Sequence, residues 1–96
     1  MSMIEEVISG TAQLLDVRTR EEWQGGHAEH ALHVPVEDIL RGEIGKFVSS
    51  KKIYVYCRSG GRAGAATAYL QDQDFQAENI GGLNDWLRAG GTLAAS

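Results

Sequence analysis

The sequence predicts an α/β fold built on a small, mostly parallel sheet, and three observations carry that prediction. Short apolar runs alternate with helix-like stretches along the whole chain, the pattern of strands joined by crossover helices. The strongest of those runs, Lys52 to Tyr56, is dominated by β-branched and aromatic residues, as a central strand buried on both faces should be. The 96 residues suffice for a modest core but leave little room for a second lobe, so the expectation is one domain over residues 1–96.

Each element follows from its local pattern. Met3 to Ile8 is a short amphipathic piece of one or two helical turns, and Gln13 to Val17 reads as a strand ending in a polar corner at Asp16–Arg18. Thr19 with Glu22 three residues later has the spacing of a capping box, which opens a short helix to Gln24 that Gly25-Gly26 ends. Ala31 to Val34 is a second short strand, closed by Pro35. From Val36 to Val48 the apolar residues Val36, Ile39, Leu40, Ile44, Phe47 and Val48 lie on one helical face, which predicts a helix weakened by Gly42 and Gly45. After the strand Lys52–Tyr56 comes a glycine-bearing loop, Arg58 to Gly61, and then an alanine-rich helix, Arg62 to Gln73, whose small side chains allow close approach to the sheet. Gln76 to Ile80 is a further strand, and after Gly81-Gly82 the last helix runs from Leu83 to Ala89.

Composition narrows the function. Hydrophobic residues at 43% and charged residues at 23% argue against disorder. Nine basic against thirteen acidic residues give a net charge of −4, which disfavours nucleic acid as a partner. No apolar run approaches membrane-spanning length, and no leader pattern precedes the fold, so the expected compartment is the cytoplasm, or the periplasm if a leader was removed. A single cysteine rules out an internal disulfide framework and a cysteine-based zinc cluster. His27, His30 and His33 recur every third residue, but on a strand such residues alternate between faces, so no metal site is expected.

The lone cysteine, Cys57, stands at the C-terminal end of the best strand, where open α/β sheets place their ligand crevices. It is followed by Arg58-Ser59-Gly60-Gly61-Arg62-Ala63. Two glycines let the backbone curl until successive amides converge on one point, and the next helix aims its positive end at the same point. Two arginines add fixed positive charge. Such a setting lowers a thiol pKa from about 8.5 toward neutrality and makes the thiolate the working form. A small buried hydrophobe is the alternative for a lone cysteine. A nucleotide P-loop fits poorly, because the Gly-x-x-x-x-Gly-Lys spacing is lacking and no lysine follows Gly61.

With these residues in place the sequence resembles the rhodanese family of sulfurtransferases in its single-domain form, over nearly the whole chain. Leu15-Asp16-Val17-Arg18, Glu22-Trp23 and Gly26-His27 are similar to the family's N-terminal signature, and Ala31 to Pro35 to the segment that closes it. Cys57 to Arg62 is similar to the active-site loop, and Gly81-Gly82, Trp86 and Ala89-Gly90 to the C-terminal signature. His30 and Asp74 stand where the family usually has glycine, and Ala28 where it usually has isoleucine. The resemblance implies a three-layer α/β/α fold around the small sheet. Loop length also separates two chemistries within it: related phosphatases and arsenate reductases place an arginine six residues after the cysteine, where this chain has Ala63, and Arg62 comes one residue earlier. The shorter loop favours a sulfur atom on Cys57 over a phosphate above it.

The implied reaction is thiosulfate sulfurtransfer. Cys57 is the nucleophile, taking a sulfane sulfur from a donor such as thiosulfate and passing it to a thiophile, cyanide in an assay or a thiol in the cell. The loop from Arg58 through Ser59, Gly60, Gly61 and Arg62 to Ala63 binds substrate, with Arg58 attracting the donor. Arg62 either does the same or ties down the loop by pairing with a carboxylate. Asp16, Arg18 and His27 are structural supports, and Glu21-Glu22 reads as a solvated helix face. No cofactor is required. The partners expected are a small-molecule sulfur donor and a thiol or cyanide acceptor, with a sulfur-accepting protein in a persulfide relay as an alternative, and a non-catalytic binding module as the third reading.

Overall fold

The computed structural model describes residues 2–94. Helix α1 (Met3–Ser9) leads into strand β1 (Ala12–Asp16), followed by α2 (Arg20–Gln24), β2 (Leu32–His33), α3 (Val36–Leu40), β3 (Lys52–Cys57), α4 (Gly61–Asp72), β4 (Ala77–Gly82) and α5 (Leu83–Arg88). The four strands form one sheet in the order β2-β1-β3-β4, and every pairing is parallel. β1 and β3 are the inner pair, in register from Ala12 opposite Lys52 to Asp16 opposite Tyr56.

Two apolar clusters cover the two sheet faces, which gives the three layers. On one face Leu15, Val17, Ile53, Val55 and Cys57 pack against Val36 and Ile39 of α3 and Ala63, Ala66 and Leu70 of α4. On the other, Leu14, Tyr54 and Tyr56 meet Val7 of α1 and Trp86 of α5. Residues of β3 thus alternate between the clusters with the two-residue period of a strand, and from Ile53 to Cys57 all are buried.

Three elements depart most from the sequence expectation, the other ends shifting by a single residue. The helix predicted from Val36 to Val48 ends at Leu40, because Gly42 adopts φ 93° and turns the chain away. Phe47 still reaches the core, whereas Leu40 and Val48 stay about half exposed. β2 shrinks to two residues. β4 runs on through Gly82 with an irregular register, Val55 facing Asn79 while Tyr56 faces Gly81, so that Ile80 is the extra residue of a bulge. His30 and Asp74, which replace family glycines, are the two non-glycine residues with positive φ among those described, at 73° and 68°. Both belong to residue types that tolerate the left-handed region better than most, so the turns survive without glycine.

Candidate active site: a thiol under a ring of amides

β3 ends on Cys57, and its parallel neighbours β1 and β4 end beside it. The side chain is buried, packed on one side into the aliphatic cluster of β1, β3 and α4. On its other side the loop closes over the sulfur, and the Gly60 amide donates to Sγ at 2.9 Å. Burial pushes the thiol pKa up, but the amides of Ala63, Gly60, Ser59 and Arg62, all directed at the sulfur, outweigh it and leave the pKa below the ordinary thiol range. Helix α4 begins at Gly61 with no side-chain cap, and the amides that a cap would have satisfied turn toward Cys57. The sequence-predicted bowl of main-chain donors is therefore present, although the thiol at its floor also forms part of the core.

Two glycine positions shape the bowl. Gly60, at φ 106°, makes the reversal that brings its own amide onto the sulfur. At Gly82 the reason is proximity: a Cβ there would lie 2.1 Å from the Arg58 carbonyl oxygen, so the loop backbone rests directly on β4. Asn79 joins the two. Its amide nitrogen donates to the Gly60 carbonyl at 3.0 Å, and its side-chain oxygen accepts from Gly81 N–H at 2.8 Å. The Gly60 carbonyl also accepts from Gly64 N–H, the first turn of α4. Sequence reasoning missed Asn79, whose role arises from the β4 bulge.

The arginines separate. Arg62 is gripped by Glu22, with Nη1 on Oε1 at 2.6 Å and Nη2 on Oε2 at 3.0 Å. Of its two anticipated roles, tying down the loop is the one this geometry displays. Glu22 also completes the capping box with Thr19, accepting from Thr19 N–H at 3.0 Å while the Thr19 hydroxyl accepts from Glu22 N–H. Led by the Arg62 hydrogen bond, these contacts hold the Glu22 carboxyl down to about 2. Reading Glu22 as a solvated face missed its partner 40 residues away, though the capping spacing itself was visible. Arg58 is exposed and forms no ion pair among the described residues.

Asp16, Arg18 and His27 sit beside the loop rather than on it. Asp16 accepts from the Arg18 backbone and guanidinium and from the Tyr56 hydroxyl at 2.7 Å, while Arg18 Nη2 reaches the Gly26 carbonyl. The Tyr56 hydroxyl in turn accepts from Ala28 N–H, and burial, with Asp16 alongside, holds the phenol well above its usual range. This network pins the segment after α2. His27 and His33 stack on Trp23, at 3.5 Å and 4.7 Å between ring centroids, and bond the Trp23 and Arg18 carbonyls. A depression of about 290 Å³ opens beside the loop, bordered by Arg18, Glu22, Arg58, Leu83 and Leu93. Another of about 270 Å³ lies along β2 and α3, away from the thiol.

A parallel sheet that delivers its one cysteine to a ring of amides at the head of a helix defines a class, the α/β proteins with a loop-cradled thiol. Within that class the chain belongs to the rhodanese-like domain family, whose model matches residues 2–89. It is similar to thiosulfate sulfurtransferase 16 of Arabidopsis thaliana, 31% identical over 103 residues that cover 94% of this chain and 86% of that protein. A sulfurtransferase of Allochromatium vinosum is 32% identical over 84 residues, 85% of this chain and 78% of its own. Among solved structures, a rhodanese-related protein of Thermoplasma volcanium superposes with a TM-score of 0.80 at 26% identity, covering 97% of this chain and 92% of that one. The chain also matches longer proteins of which it spans a fifth, among them a tRNA uridine(34) hydroxylase of Cronobacter sakazakii, 35% identical over 71 residues, 68% of this chain and 20% of that one. Among the described residues no helix is long and apolar enough to cross a membrane.

Proposed function

We propose that the protein is a sulfurtransferase that carries a sulfane sulfur as a persulfide on Cys57. The observation that carries this reading is the convergence of loop amides on the Cys57 sulfur, with a thiol pKa below the ordinary range despite burial. The thiolate attacks the outer sulfur of a donor such as thiosulfate. The donor's S–S bond breaks, sulfite leaves with the bonding pair, and the new S–S bond leaves an anionic terminal sulfur on Cys57. Amides from Ser59 to Ala63 stabilise that sulfur as an oxyanion hole stabilises oxygen. Arg58 draws the donor in, and Arg62 holds the loop through Glu22. A thiolate or cyanide then takes the terminal sulfur and returns Cys57 to its starting state. No step uses a metal or organic cofactor.

A second reading is a persulfide relay between proteins, favoured by the match to segments within much longer proteins. One experiment separates these from a non-catalytic module. The protein is incubated with thiosulfate, its intact mass is measured, and cyanide is added to look for thiocyanate. A gain of one sulfur that cyanide removes supports the enzyme. A gain only from a protein persulfide donor moves the assignment to the relay, and no gain from either leaves a binding module. Cys57→Ser abolishes loading while the fold is kept, and retained loading by that variant refutes the mechanism.

A further inference from the structure

Past residue 89, the last that the family model matches, the chain forms a strap from Gly90 to Ala94. Gly90, at φ 105°, turns it back at the end of α5, and the Gly91 amide donates to the Trp86 carbonyl at 3.0 Å. The strap then runs antiparallel to His27–Glu29, with Leu93 paired to Ala28. Glu29 N–H donates to the Thr92 carbonyl and Ala94 N–H to the His27 carbonyl, each at 2.9 Å. The Trp86 indole N–H donates to the same Thr92 carbonyl at 2.9 Å, and the Thr92 hydroxyl donates to the Glu29 carboxylate.

The strap supplies no residue to either apolar cluster, and Leu93 is 49% exposed, whereas Ala28 and Trp86 belong to the core. Its hold is a few hydrogen bonds near the surface, and segments held in this way open at a fraction of the free energy of global unfolding. Opening leaves a preformed edge behind. The 26–29 backbone stays fixed from the sheet side, where Ala28 N–H donates to the Tyr56 hydroxyl and Arg18 donates to the Gly26 carbonyl. Glu29 N–H and the His27 carbonyl are then free to pair with another strand. The edge lies beside the mouth of the thiol loop, since Leu93 borders the same depression as Arg58, the residue after Cys57.

We propose that the strap is an autoinhibitory latch, and that the edge beneath it docks an extended segment of a sulfur-exchanging partner protein. The proposal rests on the persulfide relay between proteins. The strap itself displays what the partner segment must bring: an extended backbone, a hydroxyl side chain for the Glu29 carboxylate, and an aliphatic side chain directly after it.

The test uses the full chain with Gly91→Val. The β-carbon alone would lie 2.1 Å from Trp86 Cε2, and the indole is buried, so the strap gives way. Ala94→Pro is a milder second variant that removes only the donor to the His27 carbonyl. By hydrogen exchange, the Glu29 amide of the wild type should exchange at least about tenfold faster than that of Val55 in β3, and in Gly91→Val it should lose protection while Val55 keeps it. Exchange of Glu29 and Val55 at one common rate overturns the latch. The capped peptide Gly-Gly-Thr-Leu-Ala, titrated into Gly91→Val, should return the Glu29 amide and Trp86 indole NMR signals toward their wild-type positions, with half-saturation on the order of millimolar. The wild type should not respond at those concentrations, because its tethered strap competes at a comparable effective concentration. No response of Gly91→Val, or an equal one to a scrambled peptide, overturns the docking edge; where Gly91→Val fails to fold, the same two outcomes are read on Ala94→Pro. Sulfur transfer to cyanide, which needs no edge, should stay within about twofold of wild type in the released variants, and a larger fall would make the strap a brace of the loop rather than a latch. If the wild type accepts sulfur from neither thiosulfate nor a protein persulfide, the relay reading fails, while the exchange and peptide measurements still decide whether the strap opens and its edge docks.

Discussion

Two kinds of helix start stand side by side in this small fold. α1 and α2 each open with a complete capping box, Ser2 with Glu5 and Thr19 with Glu22, so that their first amides are satisfied by their own side chains. α4 opens on Gly60 with no side-chain cap, and the amides left over face the sulfur of Cys57. The contrast teaches where binding capacity resides. A helix start closed by its own side chains contributes stability, whereas one left open contributes a site. The open start must then be held in shape by something else. Here that work falls to β4, through Gly82 and Asn79, and to α2, through Glu22.

The largest effect on this contrast should come from Gly82→Ala. The added methyl would sit 2.1 Å from the Arg58 carbonyl oxygen and 2.8 Å from its carbon, against backbone that cannot yield without lifting the loop. A cost of about 2–4 kcal/mol is expected from the forced displacement. The rate of sulfur loading on Cys57 should fall about a hundredfold, as one would find for a lost set of oxyanion-hole donors. Thermal melting and timed intact-mass measurements check both, and a variant that loads sulfur at the wild-type rate would show that β4 does not brace the loop.

A smaller effect, and a more selective one, is expected from Asn79→Ala. The Gly60 carbonyl keeps Gly64 N–H but loses its partner across the sheet, and the Gly81 turn loses its acceptor. Because Asn79 is exposed, the stability cost should be about 1 kcal/mol. The thiol should respond more. With Gly60 less firmly held, its amide stabilises the thiolate less, and the Cys57 pKa moves up toward that of an ordinary thiol. The pH dependence of alkylation by iodoacetamide reads this directly: its inflection should shift to higher pH in the variant, and an unchanged inflection would remove Asn79 from the list of loop supports.

These supports also mark the limit of what could be read from the chain. Cys57 and its loop were legible because a strongly patterned strand, two glycines and a helix start follow one another within a few residues. The sheet was legible for the same local reason, and the Thr19–Glu22 spacing announced the start of α2. What was not legible lies across the sheet. Asn79 meets Gly60 from 19 residues away and Glu22 meets Arg62 from 40, distances over which no local spacing rule operates. The over-long helix predicted after Pro35 has the opposite cause. Its apolar spacing was real, and Phe47 and the partly buried Ile44 do face the core, but they reach it from irregular chain after Gly42 breaks the helix. Periodicity reported which residues are inside without reporting the backbone that carries them.

The smallest effects belong to the closed helix starts, and they sharpen the comparison by separating α1 from α2. Ser2→Ala and Thr19→Ala each remove the hydroxyl of one capping box, with hydrogen bonds of 3.2 Å in both cases, and each should cost about 1 kcal/mol. Only α2 carries a residue that reaches the open start of α4, so only Thr19→Ala should alter thiosulfate kinetics, through a less firmly held Glu22. Acid titration gives the matching signature. Arg62 and Thr19 hold the folded Glu22 carboxyl down to about 2, from an ordinary value of 4.5. A depressed carboxylate contributes its full stabilisation above the unfolded value and loses it as pH falls through the folded one. The stability gap between wild type and Glu22→Gln, about 1 kcal/mol for a partly buried pair that solvent still screens, should therefore be full above pH 4.5 and close as the pH falls toward 2. Denaturant melts at stepped pH check this, and a gap that persists at pH 2 would mean that glutamine disturbs α2 itself rather than the ion pair with Arg62.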